Sequence, residues 1–289
     1  MNPLTQAIMS GIMMGAVYAM LSIGLVIVYQ TAHVINLAHG ETFSIAGTVV
    51  ASTAAAQLLP IWLAVFAAIC IAVLFSVAVE RFLLRPRRAW SHNALILVTL
   101  AAALFVHGVL FTLIGSDAVS FPRLISGAPF RIAGGALPPQ GLLLIVVGFV
   151  LAPAIPFFLS GTQLGRQLRA AAENPDAAQL MGVNVDRARI LAFGIAGAYG
   201  AIGAVLLVPL VSVDFHTGLD MTMRGFIAAA LAGMSPLGAI LCSLGLGLGE
   251  AFVTTYFDTL AKDPIVFFIL IGIAVWRSRS IRFGGTRRA

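Results

Sequence analysis

Hydrophobic residues run through this chain in long blocks rather than in alternation. Nine apolar stretches stand at residues 4–29, 42–59, 61–80, 93–114, 139–159, 190–212, 221–234, 236–253 and 264–276. Several reach the ~20 residues that an α-helix needs to cross a bilayer, whereas 221–234 and 264–276 are shorter and suit tilted neighbours, half-helices or re-entrant segments. The pattern predicts an all-α fold, a polytopic transmembrane bundle of eight or nine spans, with residues 1–289 forming one domain.

Composition excludes the soluble alternatives. Of 289 residues 60% are hydrophobic and 10% charged, against the ~25% charged of an average soluble chain. Residues 1–6 lack the basic region of a signal peptide and lead directly into the first block, so the first helix is expected to stay in the mature protein. Cys70 and Cys242 both lie within apolar runs and suggest no redox chemistry.

Charge then orients the bundle, because cytoplasmic loops retain Lys and Arg. Of the 17 cationic residues, 13 fall in three places: Arg81, Arg85, Arg87 and Arg88; Arg166, Arg169, Arg187 and Arg189; and Arg277, Arg279, Arg282, Arg287 and Arg288. These regions are expected in the cytoplasm, and the sparsely charged loops 115–138, 213–220 and 254–263 outside. Counting spans from the clusters puts the N-terminus outside and the C-terminus inside with nine crossings; eight would move the N-terminus inside. The same positive-inside bias accounts for the net charge of +6 without any nucleic-acid partner.

The cytoplasmic segment 160–189 is the most informative polar stretch. Asn174 suits an N-cap, Pro175 the first helical position, Asp176 the positive helix end and Gly182 the residue just past the C-terminus, which specifies a helix of two turns. Before it Leu164, Leu168 and Ala171 or Ala172 recur at helical spacing while Arg166 and Arg169 point elsewhere, predicting a second short amphipathic helix. Within the bundle Gly11-x3-Gly15, the series Gly194, Gly197, Gly200 and Gly203, and Gly245, Gly247 and Gly249 read as helix-packing seams.

Asp176-Ala177-Ala178-Gln-Leu-Met-Gly182 resembles the EAA-x3-G signature of permease subunits of bacterial ABC importers, with Asp where Glu is usual. In that superfamily the motif forms a coupling helix that docks on the ATPase. Tyr18-Ala-Met-Leu-Ser-Ile-Gly-Leu-Val-Ile-Val-Tyr29 followed by Val34-Ile-Asn-Leu-Ala-His-Gly-Glu41 resembles the N-terminal signature of the branched-chain amino acid importer permeases. Leu231-Ala-Gly-Met-Ser-Pro-Leu-Gly-Ala239, continuing to Gly249-Glu250, is similar to that family's Gly-rich loop and following helix, although Glu250 here directly follows Gly249. The tail Trp276-Arg-Ser-Arg-Ser-Ile-Arg-Phe-Gly284 is a looser match. These motifs cover nearly the full length in order and point to the smaller of the two permease types.

The resemblance implies a bacterial inner-membrane protein working with a second related permease subunit, two ATPase subunits and a periplasmic substrate-binding protein. The cargo it implies is a branched-chain amino acid or a related small polar solute. It places coupling to the ATPase at Arg169, Ala170, Glu173, Asp176, Ala177, Ala178 and Gly182. No Gly-x4-Gly-Lys-[Ser/Thr] phosphate loop occurs and the single lysine is Lys262, so no cofactor is expected on this chain, and ATP is expected to be hydrolysed by partner subunits. No metal-ligating set is read.

Ionisable residues at membrane depth are functional candidates by default. Asn36, His39, Gly40 and Glu41 cluster at a predicted helix junction and suit either a broken helix lining a substrate pathway or a local cap. Glu250 suits the pathway or interfacial water, His107 an interhelical hydrogen bond, and Arg224 a side chain snorkelling to the outer interface. A proton-coupled secondary transporter using Glu250 and His107 is the alternative to an importer subunit. An intramembrane serine hydrolase fits poorly, because Ser235 is followed by Pro236.

Overall fold

The apolar blocks before residue 254 each become a helix in the computed structural model, which describes residues 2–257 together with Pro264, Phe268 and Gly272. In chain order they are α1 (Pro3–Ala32), α2 (Glu41–Ala55), α3 (Ile61–Ala78), α4 (His92–Ile114) and α5 (Pro139–Gly161), then α6 (Gln163–Glu173), α7 (Pro175–Leu180), α8 (Val185–Leu207), α9 (Thr217–Leu231) and α10 (Pro236–Tyr256). α3 runs on through a π-helical turn, Val79–Leu84, and a 3-10 turn, Arg85–Arg87. The block at 264–276 and the third arginine cluster fall outside the described residues, save Pro264, Phe268 and Gly272.

Six helices are long and apolar enough to cross a membrane: α1, α3 with its extension, α4, α5, α8 and α10. Eight or nine full-length spans are therefore not reached among the described residues. Two of the expected spans, α2 and α9, are only 15 residues each, about 22 Å of helix against a hydrocarbon core of about 30 Å. α2 begins at a buried break in the chain, and the first turn of α9 packs on that break through Gly218 while His216 and Asp220 stay exposed.

α1 is the axle. In its most apolar window 83% of residues are buried, against 22% in α3 with its extension. Small residues make that burial possible: a Cβ on Gly247 of α10 would fall 2.4 Å from the Gly15 amide nitrogen and 2.6 Å from the Gly11 carbonyl. Gly11-x3-Gly15 is thus a seam along which α1 and α10 touch backbone to backbone. Gly197 leaves room for the Ser76 side chain of α3 and Gly200 for the Thr42 side chain of α2, while a Cβ on Gly245 or Gly249 would meet nothing within 4 Å among the described residues. The outer helices α3, α4 and α5 present Trp62, Phe66, Phe105, Leu113, Val150 and Phe157 outward, as lipid-facing helices should.

One element departs from the all-α expectation. Phe130–Ile132 and Gly135–Leu137 form a two-stranded antiparallel hairpin, β1 and β2, with Arg131 opposite Ala136. Its two-residue turn has positive φ at Ala133 and Gly134, the twist that suits a tight hairpin. The hairpin sits on the start of α1, where Asn2 donates to the Gly134 carbonyl at 3.0 Å and Gln6 Oε1 accepts from Ala136 at 3.0 Å. The opposite end of α1 meets Glu80, Arg88 and α6. Arg85 and Arg88 both pair with Asp186 at the start of α8, so the first two arginine-rich regions share this second end of the bundle.

Candidate functional site

Two places gather the candidate residues. The first lies inside the bundle, where α2 and α9 begin. After His33 the chain turns back along α1, and the His39 ring comes to rest over Gly24, where a Cβ would stand 2.6 Å from Cε1 and Nε2. Gly24 lies eight residues before the α1 terminus, so the junction sits about 12 Å in from that end. Asn36, His39 and Glu41 are all buried.

Irregular backbone at such depth must find partners, and threonines supply them. Thr222 Oγ1 of α9 accepts from the Gly40 amide at 2.8 Å and faces the carbonyls of Gly218, at 3.0 Å, and Leu37, at 3.2 Å. Thr99 Oγ1 of α4 accepts from the Leu37 amide at 3.1 Å, and Thr42 Oγ1 donates to the His39 carbonyl at 2.7 Å. Asn36 Oδ1 accepts from the Ala38 amide at 3.1 Å, which is the local-cap role, and the segment between α1 and α2 is irregular backbone. Gly40 is where the two short helices touch: a Cβ there would fall 2.1 Å from the Gly218 carbonyl and 2.3 Å from Thr222 Oγ1.

Glu41 opens α2 with its carboxylate against Gly218. Neither carboxylate oxygen has a hydrogen-bond donor among the described residues, and His107 Nε2 stands 3.5 Å from Oε1. His107 in turn packs edge-on to Phe215 and His216 just before α9. An unmatched buried carboxylate where the first turns of α2 and α9 meet is the site's chief chemical feature. His107 is thus a neighbour of Glu41 with its Nε2 unpartnered among the described residues, rather than a partner in an interhelical hydrogen bond.

Glu250 is not part of this junction. Its Oε2 accepts from the Tyr18 hydroxyl at 2.6 Å and its Oε1 from Arg224 Nε at 2.9 Å. Arg224 therefore does not snorkel to an interface; it is buried at 9% exposure, because pairing with a buried carboxylate offsets what isolated desolvation would cost. Both engaged oxygens also leave Glu250 badly placed as a proton carrier.

The second place is the α6–α7 segment. Thr162 caps α6 by accepting from Gly165 at 2.9 Å, and Asn174 Oδ1 caps α7 by accepting from Ala177 at 3.0 Å. Pro175 stands at the first helical position and Gly182 is left-handed at φ 81°, as the cap residues predicted. Arg169, Glu173, Asp176, Ala177 and Gly182 are exposed, Ala170 is half-buried, and Ala178 is buried. Leu168 and Ala171 face inward as expected, but Leu164 is exposed and Gly165 buried in its place, since a Cβ on Gly165 would meet the Phe158 carbonyl at 2.2 Å. What the sequence reading passed over is the tip: Leu180 is 89% and Met181 84% exposed. Two large apolar side chains thus stand exposed at the end of a capped helix.

The profile of the family described as "Branched-chain amino acid transport system / permease component" matches residues 7–275. The chain belongs to this permease family. It is 32% identical over 282 residues to the high-affinity branched-chain amino acid transport system permease protein LivH of Salmonella typhimurium, covering 92% of this chain and 91% of the relative. It is 30% identical over 290 residues to the corresponding protein BraD of Pseudomonas aeruginosa, covering 96% and 94%. A more distant relative is the guanosine ABC transporter permease protein NupQ of Bacillus subtilis, 27% identical over 202 residues, or 66% of this chain and 62% of that one. As a member of a transport permease family with six apolar helices, the chain is a multi-pass inner-membrane protein, and the α2–α9 junction and the α6–α7 segment are features of a permease.

Proposed function

We propose that this chain forms half of the translocation pathway of an ATP-driven importer, beside a second related permease, two ATPase subunits that hydrolyse the ATP, and a periplasmic binding protein that delivers the solute. The carrying observation is the α7 tip, a doubly capped helix that presents Leu180 and Met181 to solvent at the end shared by two arginine-rich regions. That end is the cytoplasmic one on the positive-inside rule, so the hairpin and the N-terminus lie outside. Segments 33–55 and 208–231 each cross as a loop plus a short helix, which with the six long helices makes eight crossings; the apolar block 264–276, mostly outside the described residues, is the ninth that an external N-terminus and a cytoplasmic C-terminus require. ATPase movement enters through Arg169, Ala170, Glu173 and Asp176 to Gly182.

The cargo is a branched-chain amino acid or a related small polar solute. Asn36, His39, Gly40 and Glu41 form the pathway side of the broken-helix junction, with the Glu41 carboxylate the acceptor for a solute ammonium. A gradient-driven carrier acting alone is disfavoured by the engaged Glu250 and by the family.

The coupling role is tested in proteoliposomes holding the assembled transporter. Leu180→Asp with Met181→Asp should lower ATP-driven uptake by tenfold or more while the chain still inserts, since burying a charge in an apolar contact is costly. Wild-type uptake by that variant would remove α7 from the coupling path. A finer contrast lies at Gly182, whose left-handed backbone costs a residue bearing Cβ about 1–2 kcal/mol. Gly182→Val should reduce uptake severalfold, whereas Gly182→Asn, which tolerates that conformation, should stay near wild type in the same assay.

A further inference from the structure

At the α6–α7 end a cavity of about 180 Å³ lies among α1, the π-helical turn, the start of α4, α6, α7 and α8. It is separate from the α2–α9 junction and from the exposed α7 tip. Its size falls below the ~300 Å³ at which drug-sized ligand sites begin, leaving room for a small solute.

Its charges are incompletely matched. Arg88 bridges Glu80 Oε1 at 2.6 Å and Asp186 Oδ1 at 2.5 Å, and Arg85 also pairs with Asp186. Glu80 is 1% exposed, lines the cavity, and keeps its Oε2 without a hydrogen-bond donor among the described residues. Arg189, which also lines the cavity, makes no ion pair among the described residues, and its Nε is buried and unpartnered. A buried carboxylate oxygen and a buried guanidinium N–H on one cavity wall are each costly to leave without a partner. Val34, Leu84, Trp90 and Leu95 supply apolar wall, and His33 and His92 also line the cavity.

We propose that this cavity binds a small α-amino acid with an apolar side chain from the cytoplasmic side, and that its occupancy slows transport. The ammonium meets Glu80 Oε2, the carboxylate meets Arg189, and the aliphatic side chain lies against Trp90 and the leucines. Ala171, Ala172 and Pro175 also line the cavity, so the ligand ties the coupling helices to α1 and α4. A ligand that binds one arrangement of moving elements draws population into it, which opposes a cycle in which those elements must shift. The slowing rests on the importer reading; the binding does not.

Trp90 reports on the site. In purified full-length chain in lipid nanodiscs, L-leucine should change tryptophan emission saturably, and Trp90→Phe should remove that change. Leucinol, lacking the carboxylate, and 4-methylpentanoate, lacking the ammonium, should leave it unaltered. Arg189→Gln should raise the half-saturating leucine concentration about tenfold, as loss of one charge-assisted contact. Arg189→Lys should recover part of it, and Arg187→Gln, on the exposed side of the same helix, none of the loss should touch. Filling the space with Ala172→Leu should abolish the response. In the assembled transporter, leucine loaded on the cytoplasmic side should slow uptake in wild type and not in Arg189→Gln. No saturable emission change, or one unaltered in Arg189→Gln and Ala172→Leu, would overturn the site even if uptake proceeds. Leucine binding with the stated dependence, in an assembled transporter without ATP-driven uptake, would instead refute the importer reading and the slowing with it.

Discussion

Gly40→Ala is expected to leave little folded protein. The added Cβ would fall 2.1 Å from the Gly218 carbonyl oxygen, 2.3 Å from Thr222 Oγ1 and 2.7 Å from the Thr222 amide nitrogen. Two of these are backbone atoms, so relief requires α2 and α9 to separate rather than a side chain to rotate. Overpacking commonly costs about 1–3 kcal/mol, and this case belongs at or beyond the upper end, because separation also breaks the Gly40 to Thr222 hydrogen bond. The check is the thermal midpoint of the chain in detergent, followed by size-exclusion chromatography. Gly108→Ala is the control: a Cβ there meets nothing within 4 Å, and removing a mid-helix glycine should be neutral or stabilising by about 0.5–1 kcal/mol. A Gly40→Ala chain as stable as that control would mean that α2 and α9 do not meet as described.

Arg224→Met should be nearly as damaging, and a second substitution should repair it. Removing the guanidinium leaves the buried Glu250 carboxylate without the Nε donor 2.9 Å away, a situation worth about 3–5 kcal/mol. Replacing both partners, Arg224→Met with Glu250→Leu, removes the stranded charge and should return most of the lost stability, because apolar pairs of similar volume often substitute for a buried ion pair without loss. A double-mutant cycle of thermal midpoints reads the coupling directly. Simple additivity of the two single effects would show that the pair is not a closed unit.

How much of this was legible beforehand depends on how local each cause is. The α7 helix was readable because its instructions lie within nine residues: the Asn174 cap, Pro175, and Gly182 at positive φ. The seam at Gly11 and Gly15 was readable for the same reason, since spacing alone puts both on one face. Arg224 was misplaced because its partner is 26 residues away on another helix, and a lone arginine near a predicted loop carries no mark of that pairing. Thr99 and Thr222 were passed over because one threonine in an apolar run has no distinguishing neighbourhood. Leu180 and Met181 were hidden within the motif that located the helix, since exposure of an apolar side chain is a property of the fold.

Taken alone, the order of residues determined that this chain lives in a membrane, where its arginines collect, that 174–182 forms a capped helix, and to which permease family its motifs belong. Each follows from composition or short-range spacing. Tertiary structure decided that 42–59 and 221–234 become short helices that meet at Gly40 and Gly218, that Glu41 is left unmatched beside His107, that Glu250 is engaged by Tyr18 and Arg224, and that Glu80 and Arg189 line one cavity. These depend on which helices lie side by side, and in a bilayer every apolar stretch is equally content against lipid. Only close-packing small residues and the few buried polar groups select the partners, and they do so across distances that no local pattern encodes.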